Sequence, residues 1–287
     1  MVDRMARRLS WERLIFILTL VFFLFIVVFP FYWMVISSSK GLGEIWARTP
    51  TFWPQRVNLD AYRRLFAELD FGRNMFNSFR VATVTSLLAV ILSSLGAYAV
   101  ARLRFKGKGM MLNTILLVYL FPGILLIIPL FAMLARIGGA LDIEIQNNLG
   151  VLVLTYLAQT LPVALYMLAS YFRTVPEEIE EAALIDGCSR LSAIWRITLP
   201  LSVPAMASVA MYTFMIAWNE FLYAFIFLNI RDQFTLPIKL LSISQQLDTR
   251  WDVVMAASTV MTIPVVIIFI VFERYLEQGL VAGGVKG

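Results

Sequence analysis

The chain has 287 residues, of which 60% are hydrophobic and 15% charged, and its mean hydropathy is +0.79. Soluble domains contain about 45–50% apolar residues, so this composition excludes a water-soluble globule and predicts an integral membrane protein. With no histidine and one cysteine, Cys188, the chain excludes histidine-based catalysis, histidine or paired-cysteine metal sites and an intrachain disulfide. The net charge of +5 indicates cationic loops on an anionic membrane face rather than binding to nucleic acid.

Six apolar segments are long enough to cross a bilayer, which requires about 20 residues per helix. They cover residues 14–36, 75–101, 111–135, 149–172, 204–230 and 253–274. The first segment follows several arginines, as a signal peptide would. It is longer than the apolar part of a signal peptide, and no small-residue cleavage site follows it. We therefore predict an all-α membrane protein with six transmembrane helices.

Basic residues in the short loops predict the orientation of the chain. The N-terminal segment and residues 102–108 are rich in arginine and lysine, whereas residues 136–148 carry a single arginine. This asymmetry predicts that the N-terminus, the C-terminus and the loop 173–203 are cytosolic. The predicted parts are an N-terminal region with the first span and an external loop at 1–74, a core at 75–287, a coupling loop at 173–203 and a cytosolic tail at 275–287.

The predicted cytosolic loop has the pattern of two short helices joined by a rigid turn. Thr174 and Glu177 have the spacing of a capping box, and acidic residues suit the first turn of a helix. Gly187 is placed to end this helix in a left-handed conformation. A second helix at 190–197 follows, and Leu199-Pro200 is expected to end it before the fifth span. The sequence therefore predicts a stiff projection.

Seven positions of this loop form a spaced pattern. They are Glu181, Ala182, Ala183, Gly187, Ile197, Leu199 and Pro200. The pattern resembles the EAA signature of permease subunits in binding-protein-dependent ABC importers. Motifs at residues 77–79, 218–221 and 282–287 are similar to those of the second permease subunit of maltose- and trehalose-type sugar importers. The resemblance extends from residue 74 to the end of the chain.

This resemblance implies the type I ABC importer permease fold and a non-enzymatic subunit that forms half of a translocation path for a di- or oligosaccharide such as maltose or trehalose. The EAA loop is then a coupling helix that docks on the ATPase subunit, where Glu181 pairs with a basic group and Ala182 and Ala183 permit close approach. The implied partners are a homologous second permease, two ABC ATPase subunits that hold ATP and Mg, an extracytoplasmic sugar-binding protein and membrane lipid. The chain itself is expected to bind no cofactor, and its place is the cytoplasmic (inner) membrane of a bacterium or an archaeon.

Other functions stay open at this point. A related solute, such as glycerol 3-phosphate or a polyol, would use the same kind of permease. A stand-alone secondary transporter is a second class, but coupling ions are then expected to need several intramembrane charged sites, and Glu220 is nearly alone in the predicted spans. A membrane enzyme would need paired catalytic carboxylates, and none are evident in these spans.

Polar and aromatic residues inside the predicted spans are candidates for the substrate path. Intramembrane carboxylates are functional hypotheses by default, so we place Trp218, Asn219, Glu220 and Tyr223 on this path. Structural contacts between helices are the alternative. Further candidates for hydrogen bonds to sugar hydroxyls are Tyr119, Tyr156, Gln159 and Tyr166, and candidates for gate-forming bends are Pro122, Pro129 and Pro162.

The C-terminal tail contains Gly283, Gly284 and Lys286, which suggest a phosphate-binding loop at first sight. Val285 separates the glycine from the lysine and no serine or threonine follows, so the order does not match a Walker motif. No such motif occurs elsewhere, so the chain is not expected to hydrolyse ATP. The family resemblance implies instead that the tail contacts the ATPase dimer, with a frayed terminus as the alternative.

Overall fold

The computed structural model describes the backbone of residues 2–246 and 249–284, and the side-chain surroundings of residues 11–246 and 249–275. Within these ranges the chain is helical and has no strand, which confirms the all-α class. The helices are α1 (Val2–Ser38), α2 (Leu42–Ile45), α3 (Asp60–Ala67), α4 (Phe71–Arg102), α5 (Lys108–Leu120), α6 (Gly123–Leu141), α7 (Leu149–Phe172), α8 (Glu177–Ile185), α9 (Arg190–Ala193), α10 (Leu199–Leu201), α11 (Val203–Asn219), α12 (Leu222–Phe227), α13 (Leu236–Ser244) and α14 (Trp251–Gly284). A π-helical segment, Ile194–Thr198, joins α9 to α10, and a short 3₁₀ turn, Arg231–Gln233, precedes α13.

Five helices in the described ranges are long and apolar enough to cross a membrane. They are Trp11–Ser38 of α1, the helices α4, α6 and α7, and Trp251–Tyr275 of α14. A sixth span is present if α11 is counted together with the helical segment Arg190–Leu201, from which it is bent by 76°. The predicted multi-span class is therefore confirmed, with a bend at the entry to the fifth span.

The predicted third span, residues 111–135, is not one helix. Helix α5 ends at Leu120, and α6 begins after Phe121 and Pro122. Phe121 has an extended backbone with ψ 131°. Proline disfavours a helical conformation in the residue before it and has no N–H to donate to the preceding turn. Pro122 therefore divides this apolar run into two helices.

The predicted fifth span, residues 204–230, is also interrupted. Helix α11 ends at Asn219, whose side-chain Nδ2 donates to the Met215 carbonyl at 2.8 Å. Glu220 has an extended backbone with ψ 129°, and its carboxylate accepts hydrogen bonds from the N–H groups of Tyr223 at 2.9 Å and Ala224 at 3.1 Å. Because these side chains satisfy backbone groups on both sides of the break, two helices form where the apolar run predicts one.

The chain forms two compact units. The first contains Met1–Asp70 and Leu240–Thr262. In this unit Lys40 is buried, donates a hydrogen bond to the carbonyl of Thr51 and lies 4.5 Å from the ring centroid of Trp33. A buried ammonium group is costly without partners, so these contacts explain how the lysine is accommodated beside the end of α1.

The second unit contains Phe71–Lys239 and Ile263–Gly287, and its centre is formed by α4, α7 and α11. Small residues of α4, such as Ala82 and Ala89, are fully buried. Small side chains let membrane helices approach closely, so packing rather than bulk apolar surface holds them together. One end of this core is formed by Ala97, Val100, Ala164, Leu168, Phe172 and Val209.

The start of α4 is fastened to the chain before α13. The side-chain Nδ2 of Asn77 donates to the carbonyls of Asp232 at 2.8 Å and Phe234 at 3.2 Å. The hydroxyl of Ser78 accepts a hydrogen bond from the N–H of Leu236 at 2.7 Å. These two residues belong to the motif at 77–79, which therefore has a structural role in holding the loop that follows α12.

Candidate functional site

The segment between α7 and α11 begins with helix α8. The predicted capping box is wrong, because the hydroxyl of Thr174 donates to the carbonyl of Tyr171 at 2.7 Å and no side chain in the described structure caps α8. The first turn instead carries acidic residues, including Glu177. Negative charge near a helix N-terminus is favourable because the backbone N–H groups there have no intrahelical partner.

Helix α8 ends in a Schellman motif at Gly187. Gly187 has φ +90°, which confirms the predicted left-handed conformation. Its N–H donates to the carbonyl of Leu184 at 3.1 Å, and the N–H of Cys188 donates to the carbonyl of Ala183 at 3.0 Å. This pair of hydrogen bonds is the pattern of a Schellman turn. It sets the direction in which the chain leaves α8.

The second half of the segment is a longer helical stretch than the sequence predicts. The hydroxyl of Ser189 caps α9 by accepting a hydrogen bond from the N–H of Ser192 at 3.3 Å. Pro200 does not end the stretch, which continues through the π-helical segment to Leu201. Proline and π-helical turns are common sites of helix distortion. The 76° bend between this stretch and α11 follows directly after them.

The EAA-type positions differ in their exposure. Glu181, Ala182, Gly187 and Pro200 are exposed, and Ala183, Ile197 and Leu199 are half-buried. Helical periodicity puts Glu181, Ala182 and Ile185 on one face of α8. Ile185 is 86% exposed, and Leu191 and Trp195, one helical turn apart, are 66% and 67% exposed. These five exposed residues are together called the knob surface below. Three of them are large and apolar, and exposed apolar side chains of this size mark sites of interaction.

The opposite face of α8 carries a buried carboxylate, Glu180. Its Oε1 accepts hydrogen bonds from Nε of Arg102 at 2.9 Å and from the hydroxyl of Thr198 at 3.0 Å. Its Oε2 accepts a hydrogen bond from the hydroxyl of Tyr98 at 3.2 Å. The guanidinium also donates to the carbonyl of Val175 at 2.7 Å, and the Glu180 and Arg102 side chains are each 7% exposed.

Sequence reasoning missed both features of this segment. It selected Glu181 and not its neighbour Glu180, because a motif does not show which face of a helix is buried. It did not single out Leu191 and Trp195, although their spacing of four residues is the signal of a shared helix face. From the sequence, Arg102 is only part of the basic stretch 102–108 that predicts the orientation of the chain.

A cavity of about 410 Å³ lies beside the break between α5 and α6. Its wall contains the polar residues Tyr119, Thr155, Gln159 and Tyr223, and the rest of the lining is apolar. The structure thus brings together three of the predicted sugar-binding candidates, Tyr119, Gln159 and Tyr223, from three different helices. No charged residue in the described part of the chain lines this cavity.

The cavity wall is also rich in helix-distorting residues. Pro129 of α6 and Pro162 of α7 line it, and Pro122 lies at the break between α5 and α6. The hydroxyl of Tyr223 donates to the carbonyl of Gly123 at 3.2 Å, which connects α12 to the first residue of α6. The three predicted gate prolines therefore lie at or near one cavity.

The other candidates for the substrate path lie elsewhere. Trp218 is buried, stacks on Phe214 with ring centroids 5.6 Å apart and lines a separate apolar groove. Tyr156 is fully buried, and its hydroxyl has no hydrogen-bond partner within the described residues. Tyr166 is exposed and does not line the cavity. Asn219 and Glu220 form the break between α11 and α12 described above.

The predicted tail contacts are only partly within the described structure. Gly283 and Gly284 are the last two residues of α14. Lys286 lies outside the described residues.

Comparison with known proteins extends these observations. The family described as "Binding-protein-dependent transport system inner membrane component" matches residues 89–281. Inner membrane ABC transporter permease protein YcjP of Escherichia coli (strain K12) is 44% identical over 278 residues, which cover 96% of this chain and 97% of that protein. Trehalose/maltose transport system permease protein MalG of Thermococcus litoralis is 36% identical over 285 residues, which cover 96% of this chain and 98% of that protein.

A solved structure gives the same fold. A bacterial ABC transporter involved in the import of the acidic polysaccharide alginate contains a chain that superposes with a TM-score of 0.79 at 21% identity, covering 92% of this chain and 95% of that one. The segment with α8 and the cavity residues lie inside the family match, which spans residues 89–281. The chain therefore belongs to the family of binding-protein-dependent transport system inner membrane components and is a multi-pass permease subunit, not an enzyme.

Proposed function

We propose that this chain is the permease subunit of an ATP-driven importer for a di- or oligosaccharide of the maltose or trehalose kind. It forms half of the translocation path and receives the motion of an ATPase subunit through α8. The similarity to the trehalose/maltose permease over 96% of the chain supports the sugar. The observation that supports the coupling role is the exposed knob surface. It belongs to a segment that is attached to the spans by the buried hydrogen bonds of Glu180.

The proposed complex contains further chains. A homologous permease forms the other half of the path, two ABC ATPase subunits hold ATP and Mg, and an extracytoplasmic binding protein delivers the sugar. The loop 173–203 then lies on the cytosolic side, and the tail residues Gly283, Gly284 and Lys286 contact the ATPase dimer. The match to a binding-protein-dependent family supports this composition.

The knob surface has the chemistry of a docking site. Ile185, Leu191 and Trp195 expose large apolar side chains that a cleft on the ATPase would bury, and apolar burial drives most protein association. Ala182 adds no bulk and permits close approach, and Glu181 is free to pair with a basic group at the edge of the cleft. Because the Schellman turn at Gly187 fixes the exit of the chain, the docked segment moves as one piece.

Copurification tests this docking. The permease complex is expressed with its ATPase subunit, and the amount of ATPase retained on the tagged permease is measured. We expect Glu181→Lys to reduce retention strongly, while Glu144→Lys, a matched change at an exposed glutamate between α6 and α7, leaves it unchanged. If both variants retained as much ATPase as wild type, α8 would not be the docking site.

The cavity beside the α5–α6 break is the proposed part of the substrate path in this subunit. Tyr119, Gln159 and Tyr223 offer hydrogen-bond donors and acceptors in an otherwise apolar wall, which is the usual composition of a site for a small neutral molecule. Glu220 contributes by starting α12, which carries Tyr223 into the wall. Asn219 ends α11 beside it, and Trp218 lines a separate groove.

The absence of charged residues from the described cavity wall favours a neutral sugar over an anion. Desolvating a phosphate without a cation nearby is costly, so glycerol 3-phosphate does not fit this wall. Uptake by the reconstituted complex tests the choice, with labelled trehalose or maltose as substrate. We expect unlabelled disaccharide to compete and glycerol 3-phosphate not to compete. Uptake of the disaccharide by this chain alone, without ATPase or ATP, would overturn the proposed function.

A further inference from the structure

Three elements meet at one buried carboxylate. Glu180 of α8 accepts hydrogen bonds from Arg102 and Tyr98 at the end of α4 and from Thr198 in the π-helical segment that leads to α11. The two α4 residues are separated from Glu180 by 78 and 82 positions in the chain, and Thr198 by 18. One side chain therefore joins α8 to the end of α4 and to the segment that leads into α11.

The contacts of this carboxylate are complete. A buried ion pair is stable only when the geometry is good and the remaining polar atoms are hydrogen-bonded. Here both oxygens of Glu180 have donors, and Arg102 bonds the carbonyl of Val175 as well as the carboxylate. Nonpolar packing could hold α8 in place equally well, but it would not define the direction of the helix relative to both neighbours. Directional hydrogen bonds do so.

We propose that Glu180 is the positioning residue that couples α8 to α4 and α11 at the same time. This inference rests on the proposed function, in which α8 docks on an ATPase subunit. When the ATPase displaces α8, the carboxylate carries the displacement to Arg102 and Thr198, so both core helices shift together. Without it, α8 keeps its two flanking chain segments and the exposed carboxylate of Glu177, which lies 3.6 Å from the Arg102 guanidinium. Exposed ion pairs are weak, so these links absorb much of the movement.

The second core helix, α11, is reached through a distorted helical segment. Thr198 is the last residue of the π-helical stretch, and the 76° bend into α11 follows within a few residues. Distorted helical turns of this kind are frequent at functional sites. The bond from Thr198 to Glu180 therefore joins α8 to the segment that precedes the bend, and α11 follows directly after the bend.

The test uses the whole complex in liposomes, with both permeases, the ATPase subunits and the loaded binding protein. The amount of sugar transported per ATP hydrolysed is measured for Glu180→Gln and for wild type. We expect this ratio to fall about tenfold, which is within the usual range of coupling energies, while the ATPase subunit stays bound. Asp252→Asn is the matched control, since it breaks another buried ion pair, that with Arg250. A purely structural effect lowers stability in both variants and leaves both ratios unchanged.

A milder variant covers the case in which Glu180→Gln fails to assemble. Thr198→Val removes one hydrogen bond to Glu180 and keeps the side-chain shape, and we expect a smaller fall in the ratio. Thr213→Val is its control, because the Thr213 hydroxyl bonds only carbonyls of its own helix. A wild-type ratio in Thr198→Val, or in an assembled Glu180→Gln, overturns the inference. The proposed docking function fails by a different result, namely that the Glu181→Lys permease retains as much ATPase subunit as wild type in the copurification test.

Discussion

The carboxylate of Glu220 lies 2.9 Å from the backbone nitrogen of Tyr223 and accepts a hydrogen bond from it. The sequence marks Glu220 as a candidate sugar ligand because it is a charged residue in an apolar run. The structure gives it a backbone partner instead. Its effect on the cavity is indirect, since the helix that it begins carries Tyr223 to the carbonyl of Gly123.

This arrangement predicts different results for two changes at Glu220. Glu220→Ala removes the acceptor for two backbone N–H groups, and we expect a loss of about 1 kcal/mol in stability, as for other helix caps, with reduced uptake. Glu220→Gln keeps an acceptor oxygen and is expected to stay close to wild type. Thermal unfolding in detergent and uptake in liposomes measure both effects. If the Gln variant lost uptake while keeping its stability, the carboxylate itself would act on the substrate.

Gly187 is expected to tolerate no side chain without strain. Gly187→Ala meets no atom within 4 Å, so its cost comes from the backbone conformation at φ +90° and amounts to about 1–2 kcal/mol. We expect weaker retention of the ATPase, because the exit of the chain from α8 changes. Gly139→Ala is the control, since it also meets no atom within 4 Å and has no positive φ. Equal ATPase retention and equal stability in the two variants would contradict this account.

Ile185 is predicted to be an energetic centre of ATPase binding. Because it is 86% exposed in this chain, Ile185→Ala should leave the stability of the free permease unchanged. Buried interface centres typically contribute about 2 kcal/mol or more, so we expect the affinity for the ATPase to fall by more than about tenfold. Ile143→Ala, at a site that is 47% exposed between α6 and α7, serves as control. The affinity is measured by titrating the ATPase onto permease in nanodiscs.

Gln159 is predicted to bind the sugar directly. Gln159→Leu removes one hydrogen-bonding group from the cavity wall, and one hydrogen bond contributes about 1 kcal/mol, so we expect the uptake KM to rise about fivefold. ATPase retention should not change. Met133→Leu alters an apolar residue of the same wall with little change in volume and is the matched control. An unchanged KM in Gln159→Leu would exclude this residue from the path.

Local features of the fold could be predicted from the sequence. Long apolar runs gave most of the spans, since length and composition alone decide whether a helix can cross a bilayer. The end of α8 at Gly187 was also predictable, because left-handed backbone favours glycine. The sequence marks Pro122 as a possible bend, but the unbroken apolar run favours one span over the two helices that form there. The break at Glu220 had no such signal, because it depends on side chains that bond backbone groups on either side.

Contacts distant in the chain could not be predicted. Glu180 and Glu181 are identical in type, and a rotation of about 100° around α8 decides which of them is buried. The buried glutamate is the one that faces Arg102, which is 78 positions away in the chain. The cavity is a similar case. Tyr119, Gln159 and Tyr223 line it together only because the helices are interrupted at Pro122 and at Glu220. A single sequence identifies such residues by type but does not show which of them meet.

The 76° angle between Arg190–Leu201 and α11 determines how force would pass between them. In the proposed coupling, a thrust along the first segment would act mainly sideways on α11, because the two axes are close to perpendicular. Such a thrust would tilt α11 about the corner at Ser202 and would not slide it along its own axis.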